Sequence, residues 1–91
     1  LENINKSSDV IICIDIDSMD PSIVPNTIGR VPGGLSYFQV FNLIKGVAKK
    51  ANIKAMDFTE IMPEVDIDGL GGLTVSRLIA STMGIIARQK K

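Results

Sequence analysis

The 91-residue chain contains no histidine, no tryptophan and a single cysteine, Cys13. With one cysteine, neither an intrachain disulfide nor a cysteine-based zinc cluster can form. Positive charge is not in excess either, because the 10 lysines and arginines balance the 10 aspartates and glutamates. The basic residues collect at the ends of predicted helices, where they complement the helix dipole, and we therefore expect no nucleic-acid partner. The missing histidine bears on the metal site considered below.

Long apolar runs are also absent. No uninterrupted apolar stretch reaches the roughly 18 residues of a membrane span, and no signal peptide is visible, so we expect no membrane partner and a cytoplasmic location. Hydrophobic residues nevertheless make up 45% of the chain, enough for a core. Cys13 lies within an apolar segment, which predicts a buried, inert thiol.

Residues 10–16 form an apolar, mainly β-branched run that meets carboxylates at its end, which predicts a strand buried on both faces, as in parallel sheets. Ser36 and Gln39 have the spacing of a capping box, which predicts a helix from there to about Ala51. Residues 53–61 are expected to form a second strand.

A last helix follows, with Thr74 as its expected cap. Its predicted inner face comprises Val75, Leu78, Ile79, Thr82, Met83 and Ile86. The order strand, helix, strand, helix is typical of a parallel α/β sheet. Two strands alone do not make such a sheet stable and leave one face uncovered. Residues 1–91 are therefore expected to be part of one larger α/β domain.

Three aspartates, Asp15, Asp17 and Asp20, follow the first predicted strand. Residues two apart on a strand share a face, so Asp15 and Asp17 should lie close enough to raise each other's pKa unless a cation separates them. Carboxylates suit hard divalent ions such as Mg, Ca or Mn, so Asp15 and Asp17 are candidate metal ligands. The alternative is that the aspartates only begin a loop, an interpretation we favour for Asp20, which precedes Pro21.

Two common aspartate motifs fit this stretch poorly. An EF-hand loop beginning at Asp15 requires glycine where Asp20 stands and glutamate where Asn26 stands. A haloacid-dehalogenase-like phosphatase would use Asp15 as nucleophile and Asp17 as acid–base, but Ser18 and Met19 depart from its usual pattern. The phosphatase remains an alternative.

Three segments in order resemble the ureohydrolase family of arginases, agmatinases and formimidoylglutamases. Residues 14–21 resemble its Asp-x-Asp-x-x-Asp-Pro signature, and residues 32–36 resemble its Pro-Gly-Gly-Leu-Ser/Thr turn. Residues 57–63 resemble its Asp-hydrophobic-x-Glu-hydrophobic-x-Pro segment. The resemblance runs from about Val10 to the C-terminus, and it implies the C-terminal β-α-β-α fragment of a three-layer, parallel-sheet, arginase-like α/β fold.

What the resemblance implies about function is specific. Asp15 would bridge two manganese ions, Asp17 would ligate one of them, and Glu60 would face the guanidinium of the substrate. The activity would be hydrolysis of a small guanidino compound, such as agmatine or arginine, or of a formimino relative, in a homo-oligomer.

The departures from the family pattern concern the loop and the missing ligands. Asn26 and Ile28 stand where the family has small residues, and Cys13 stands where serine is common. The family's other metal ligands lie in upstream histidine-containing segments, whereas this sequence has no histidine. The 91 residues alone are thus expected to be inactive, and a non-catalytic remnant that folds by association is the second hypothesis.

Overall fold

The computed structural model describes residues 7–27, 29–30 and 32–89, which form two strands and two helices. In chain order these are β1 (Asp9–Asp15), α1 (Tyr37–Lys50), β2 (Asn52–Thr59) and α2 (Leu70–Gln89). Short 3₁₀ turns follow each strand, at Ile16–Ser18 and Pro63–Val65. The predicted β-α-β-α order is confirmed.

The two strands are parallel neighbours, as the crossover through α1 requires. Asp9 pairs with Asn52 at one end and Asp15 with Thr59 at the other, with a β-bulge between Val10 and Ile11. The parallel register brings the carboxyl ends of both strands to the same edge of the sheet.

Helix α1 begins at the predicted cap. The Ser36 hydroxyl accepts from the Gln39 N–H (3.1 Å) while the Gln39 side chain accepts from the Ser36 N–H (2.8 Å). This reciprocal pair satisfies two N–H groups that the first turn leaves without helical partners. The helix ends at Lys50, one residue earlier than predicted.

The start of α2 was predicted wrongly. The helix begins at Leu70, and the cap is Asp66, whose carboxylate accepts from the N–H groups of Gly71 (2.9 Å) and Gly72 (3.0 Å). Thr74 lies one turn inside the helix, where its hydroxyl donates to the carbonyls of Leu70 and Ile23. Thr74 therefore joins α2 to the long loop.

Both helices cover one face of the sheet. The buried core comprises Ile16, Met19, Val24, Val40, Ile44, Ile53, Val75 and Leu78. From α2, Leu78 and Thr82 are fully buried, but Met83, which we predicted to face inward, is 59% exposed.

The opposite face of the sheet is open to solvent, so the predicted burial of the first strand on both faces is wrong for this chain. Ile11 is 67% exposed, and Cys13, predicted to be buried, is exposed beside it on the same face. The negative charge of Asp57 across from it raises the pKa of the Cys13 thiol, with smaller contributions from desolvation and a hydrogen bond to Asp57. The expected lack of cover on one face is confirmed.

Helix α2 is apolar enough to raise the question of a membrane. It has 20 residues, and an 18-residue window of it has a mean hydropathy of 1.4, so it is long and apolar enough to cross one by length and composition. Core helices of soluble proteins pass the same test, and α2 buries Val75, Leu78 and Thr82 within this chain. We therefore assign α2 to the core.

Candidate functional site

The candidate site lies where both strands end. Asp15 is the last residue of β1 and pairs with Thr59, the last residue of β2, so Glu60 follows directly at the same edge. Asp17 lies in the 3₁₀ turn that continues β1. This edge is where open α/β sheets commonly bind ligands. The three residues that were predicted to act together are therefore close to one another in the fold.

Asp15 and Asp17 approach each other by a different route from the one predicted. They do not share one face of a strand, because β1 ends at Asp15 and the chain turns into the 3₁₀ helix. The turn is held by Asp15 itself: its Oδ1 accepts from the Asp17 N–H (3.1 Å), and its carbonyl accepts from the Ser18 hydroxyl (2.8 Å). The predicted strand geometry was wrong, but the two carboxylates lie close to each other as expected.

The pKa of Asp17 is shifted by its neighbours at this edge of the sheet. Its pKa is raised, first because its carboxyl shares a hydrogen bond with that of Asp15, then by desolvation, and then by the negative charges of Asp15 and Glu60. The pKa of Asp17 is therefore affected by both of the other acids at this edge, Asp15 and Glu60. A cation placed among them would relieve the repulsion. The predicted effect of neighbouring carboxylates on pKa is confirmed for Asp17.

As a metal site the edge is incomplete. Across residues 7–27, 29–30 and 32–89, no group of three or more histidine, cysteine, aspartate or glutamate side chains is arranged to hold an ion. Asp15 and Asp17 have the carboxylate oxygens that a hard divalent cation prefers, but two aspartates do not enclose it. Their role as metal ligands stays a prediction, as does the contact of Glu60 with substrate.

Glu60 has an unusual backbone. Its φ of +68° places it in the left-handed region, which non-glycine residues rarely adopt, and its side chain is exposed. Holding a residue there costs on the order of 1–3 kcal/mol, and such strain concentrates at functional sites. The sequence offers no signal for it, since glutamate is not among the residues that favour this conformation.

Asp20 is a turn residue, in agreement with the interpretation favoured from the sequence. Its carboxylate accepts from the N–H groups of Ser22 (2.9 Å) and Gly33 (3.0 Å). Hydrogen bonds from the Ser22 N–H, the Ser22 hydroxyl and the Gly33 N–H lower its pKa. Asp20 therefore closes the base of the long loop. Gly34 is required there for space, because a Cβ at that position would lie 2.6 Å from the Met19 carbonyl carbon.

The long loop between β1 and α1 packs against the start of α2 through Asn26. Asn26 is 1% exposed, its carbonyl accepts from the Met62 N–H (2.7 Å), and its side chain lies against Gly71. The side-chain atoms Asn26 Oδ1, Asn26 Nδ2 and Thr27 Oγ1 are buried without a hydrogen-bond partner. Nothing in the sequence indicated that Asn26 would be buried against Gly71, because the two residues are distant in sequence.

A groove of about 380 Å³ also reaches the site. It runs between β1 and α1, is mainly apolar, and has Asp15 and Ser18 in its lining together with Leu35, Val40, Leu43 and Ile44. Leu43 is 55% exposed there. The groove is thus a second uncovered apolar surface, contiguous with the edge that carries the carboxylates.

Comparison with known proteins supports the resemblance noted from the sequence. The model of the Arginase family matches residues 1–84. The N(1)-aminopropylagmatine ureohydrolase of Thermus thermophilus is 34% identical over 76 residues, which are 84% of this chain and 25% of that protein. The agmatinase of Chromobacterium violaceum is 35% identical over 82 residues, or 90% of this chain and 25% of its own length.

Solved structures agree. Proclavaminate amidino hydrolase from Streptomyces clavuligerus superposes with a TM-score of 0.83 at 28% identity, over 91% of this chain and 27% of that one. Arginase from Medicago truncatula superposes with a TM-score of 0.75 at 30% identity, over 85% of this chain and 24% of that one.

These matches confirm the expected arginase-like fold, and they favour the ureohydrolase interpretation over the phosphatase alternative. The chain spans about a quarter of the length of the relatives that it matches. On the match of the family model, together with the relatives and structures that agree with it, this chain belongs to the Arginase family.

Proposed function

We propose that this chain is the C-terminal part of a manganese-dependent ureohydrolase that converts a guanidino compound into urea and an amine. The observation that carries the proposal is the convergence of Asp15, Asp17 and Glu60 at one sheet edge, in a chain whose family match covers residues 1–84. Hydrolysis consumes one water and breaks one C–N bond, and the amine leaves with a proton.

The chain supplies two kinds of group to this reaction. Asp15 and Asp17 would hold manganese, which when bound supplies Lewis-acid activation of the attacking water. Glu60 would hold and orient the cationic guanidinium, because a fixed carboxylate positions the carbon for attack. The closeness of the Asp15 and Asp17 carboxyls, which share a hydrogen bond, supports the metal assignment, because a cation between them would remove the repulsion between their charges.

The relatives support the proposed substrate class. Those named above are ureohydrolases and amidino hydrolases, which act at a guanidino or related amidino group. Agmatine and arginine are the first substrates to test, with a formimino compound third. The cytoplasmic location and the homo-oligomeric state stay proposals of the same kind.

The 91 residues alone are proposed to be inactive, because the described residues offer two metal-ligand candidates and the sequence has no histidine. The experiment is a urea-release assay on the purified chain with manganese and each substrate. No urea above the rate without protein is expected. Turnover by a protein of intact mass near 9.8 kDa would contradict the proposal. If the gene continues upstream, that region should encode Asp-Ala-His-x-Asp.

A second candidate function, a non-catalytic unit that associates through its uncovered surfaces, is favoured by one observation. Ile11 is 67% exposed on the open sheet face, and Leu43 is 55% exposed at the groove. Apolar surface of this kind favours association. Size-exclusion chromatography alongside the urea assay separates the two: a stable oligomer without urea release, even when the upstream region is supplied, indicates the non-catalytic unit.

A further inference from the structure

Arg30 links two segments that meet at the candidate site. Its Nε donates to the Pro25 carbonyl (2.6 Å), within its own loop. Its Nη2 donates to the Val65 carbonyl (2.8 Å), 35 residues further along the chain. One side chain therefore fixes the end of the long loop and attaches it to the turn that follows β2.

A main-chain hydrogen bond runs beside this link. The Met62 N–H donates to the Asn26 carbonyl (2.7 Å), so residues 62–65 are attached to the loop at two points. Glu60 lies just before the first attachment, with its φ of +68°. A strained residue keeps its conformation only where its surroundings impose it, and these two attachments are the restraints on its C-terminal side.

The same loop also touches the other half of the site. Gly29, next to Arg30, lies so close to Asp17 that a Cβ there would be 3.1 Å from Asp17 Oδ2. The loop thus contacts Asp17 on one side and holds the segment after Glu60 on the other.

We propose that Arg30 is a positioning residue that holds Glu60 in its left-handed conformation and in register with Asp17. This inference rests on the proposed function, because Glu60 and Asp17 are the residues assigned there to substrate and metal. Arg30 does not itself touch the reacting atoms. It acts through the Val65 carbonyl and, together with Met62, through the path of residues 60–65.

Arginine suits this role better than lysine. Its planar guanidinium presents several N–H donors in a fixed fork, so it can bind two carbonyls at once with little further loss of freedom. A lysine ammonium would bind one of the two carbonyls, and its flexible side chain would rotate more freely. The Arg30 side chain is exposed and its two acceptors are main-chain carbonyls, so its removal should change global stability less than removal of a buried core residue.

Nuclear magnetic resonance of the 91-residue chain tests this. Arg30→Met should speed amide exchange at Met62 by roughly tenfold, the loss expected for a charge-assisted hydrogen bond, while exchange at Val40 in α1 stays the same. The one-bond Cα–Hα coupling of Glu60, which distinguishes positive from negative φ, should move toward the ordinary value. Arg30→Lys should fall between the parent and Arg30→Met.

Arg88→Met is the matched control, since it removes the same side chain from the last turn of α2 and should leave both readouts unchanged. Unchanged Met62 exchange and an unchanged Glu60 coupling in Arg30→Met would overturn the proposal. Faster exchange at Val40 in Arg30→Met would mean that the whole fold is destabilised. Arg30→Lys then decides, and it must show both faster exchange at Met62 and a changed Cα–Hα coupling of Glu60.

A separate experiment tests the proposed function. Guanidinium chloride at millimolar concentration, added to the unsubstituted chain, should shift the Glu60 side-chain signals, and Arg30→Met should weaken this response severalfold. A parent chain without any shift at Glu60 would contradict substrate binding by that residue. The exchange and coupling data would still decide whether Arg30 holds the segment.

Discussion

The two faces of the sheet differ in how far their side chains are buried. On the covered face, Ile53 is 3% exposed and packs with residues of both helices; on the open face, Ile11 on the neighbouring strand is 67% exposed. Both are isoleucines in strands of one two-stranded sheet. The difference shows that these strands have the composition of a sheet with cover on both faces, while the residues that the structure describes cover one.

The largest effect should come from replacing the covered isoleucine. Ile53→Ala should cost about 2–5 kcal/mol of unfolding free energy, because it removes a buried side chain and leaves a cavity. Ile11→Ala, the same change on the open face, should cost less than about 1 kcal/mol. Urea unfolding followed by circular dichroism measures both. Equal costs would mean that the open face is covered in solution, by a second molecule.

The covered side should also tolerate little added volume. A Cβ at Gly71 would meet the buried side chain of Asn26, so Gly71→Ala should destabilise by about 1–3 kcal/mol, although alanine favours helices. Asn26→Ala in the same chain should recover most of that loss, since it removes the atoms that clash. Additive effects in the double variant would show that Gly71 and Asn26 do not touch.

Low pH should destabilise the fold through protonation of Asp66. Burial alone would raise the pKa of Asp66, but the N–H groups of Gly71, Gly72 and Ile67 together hold it below its ordinary value. A lowered pKa stabilises the fold at pH values above the unfolded-state pKa of about 3.9. That contribution is lost as the pH falls through the lower folded-state value.

The variant Asp66→Asn tests this pH dependence. It should be less stable than the parent near pH 7, and the gap should narrow as the pH falls below about 4. Denaturant unfolding at several pH values measures the gap. A gap that stays constant across this range would exclude a role for the Asp66 charge.

The smallest effect concerns Cys13 on the open face. Its exposed thiol should react with iodoacetamide without unfolding, but slowly, because Asp57 raises its pKa and the thiolate is the reactive form. Asp57→Asn should speed the reaction severalfold near pH 8, as followed by mass spectrometry. Reaction only after denaturation would place Cys13 in an interface between copies.

Sequence reasoning succeeded where the signal was local. Ser36 and Gln39 are three residues apart, and that spacing alone located the start of α1. The cap of α2 was missed because Asp66 acts across an intervening turn, while Thr74 has the right residue type in the wrong place. Local rules rank helix caps by residue type and spacing, and they contain no information on the path of the preceding loop.

Non-local features of the site were out of reach. Asp15 and Asp17 were selected from their spacing and chemistry, and Glu60 from the family resemblance, yet the positive φ of Glu60 and the bond of Arg30 to Val65 depend on how two distant loops meet. The exposure of Cys13 was also missed, because an apolar run predicts burial whether or not the chain provides the cover. Contacts made through the fold, rather than through neighbours in sequence, decide these features.

We propose that Asp15 and Asp17 form half of a metal site facing Glu60. The most direct measurement is a manganese titration of the isotope-labelled chain, followed by nuclear magnetic resonance. We expect paramagnetic broadening to begin at Asp15 and Asp17, to reach Gly29 and Glu60 next, and to disappear in Asp15→Asn/Asp17→Asn. Broadening that begins at Asp57 or Asp66, or that survives the double substitution unchanged, would contradict the claim.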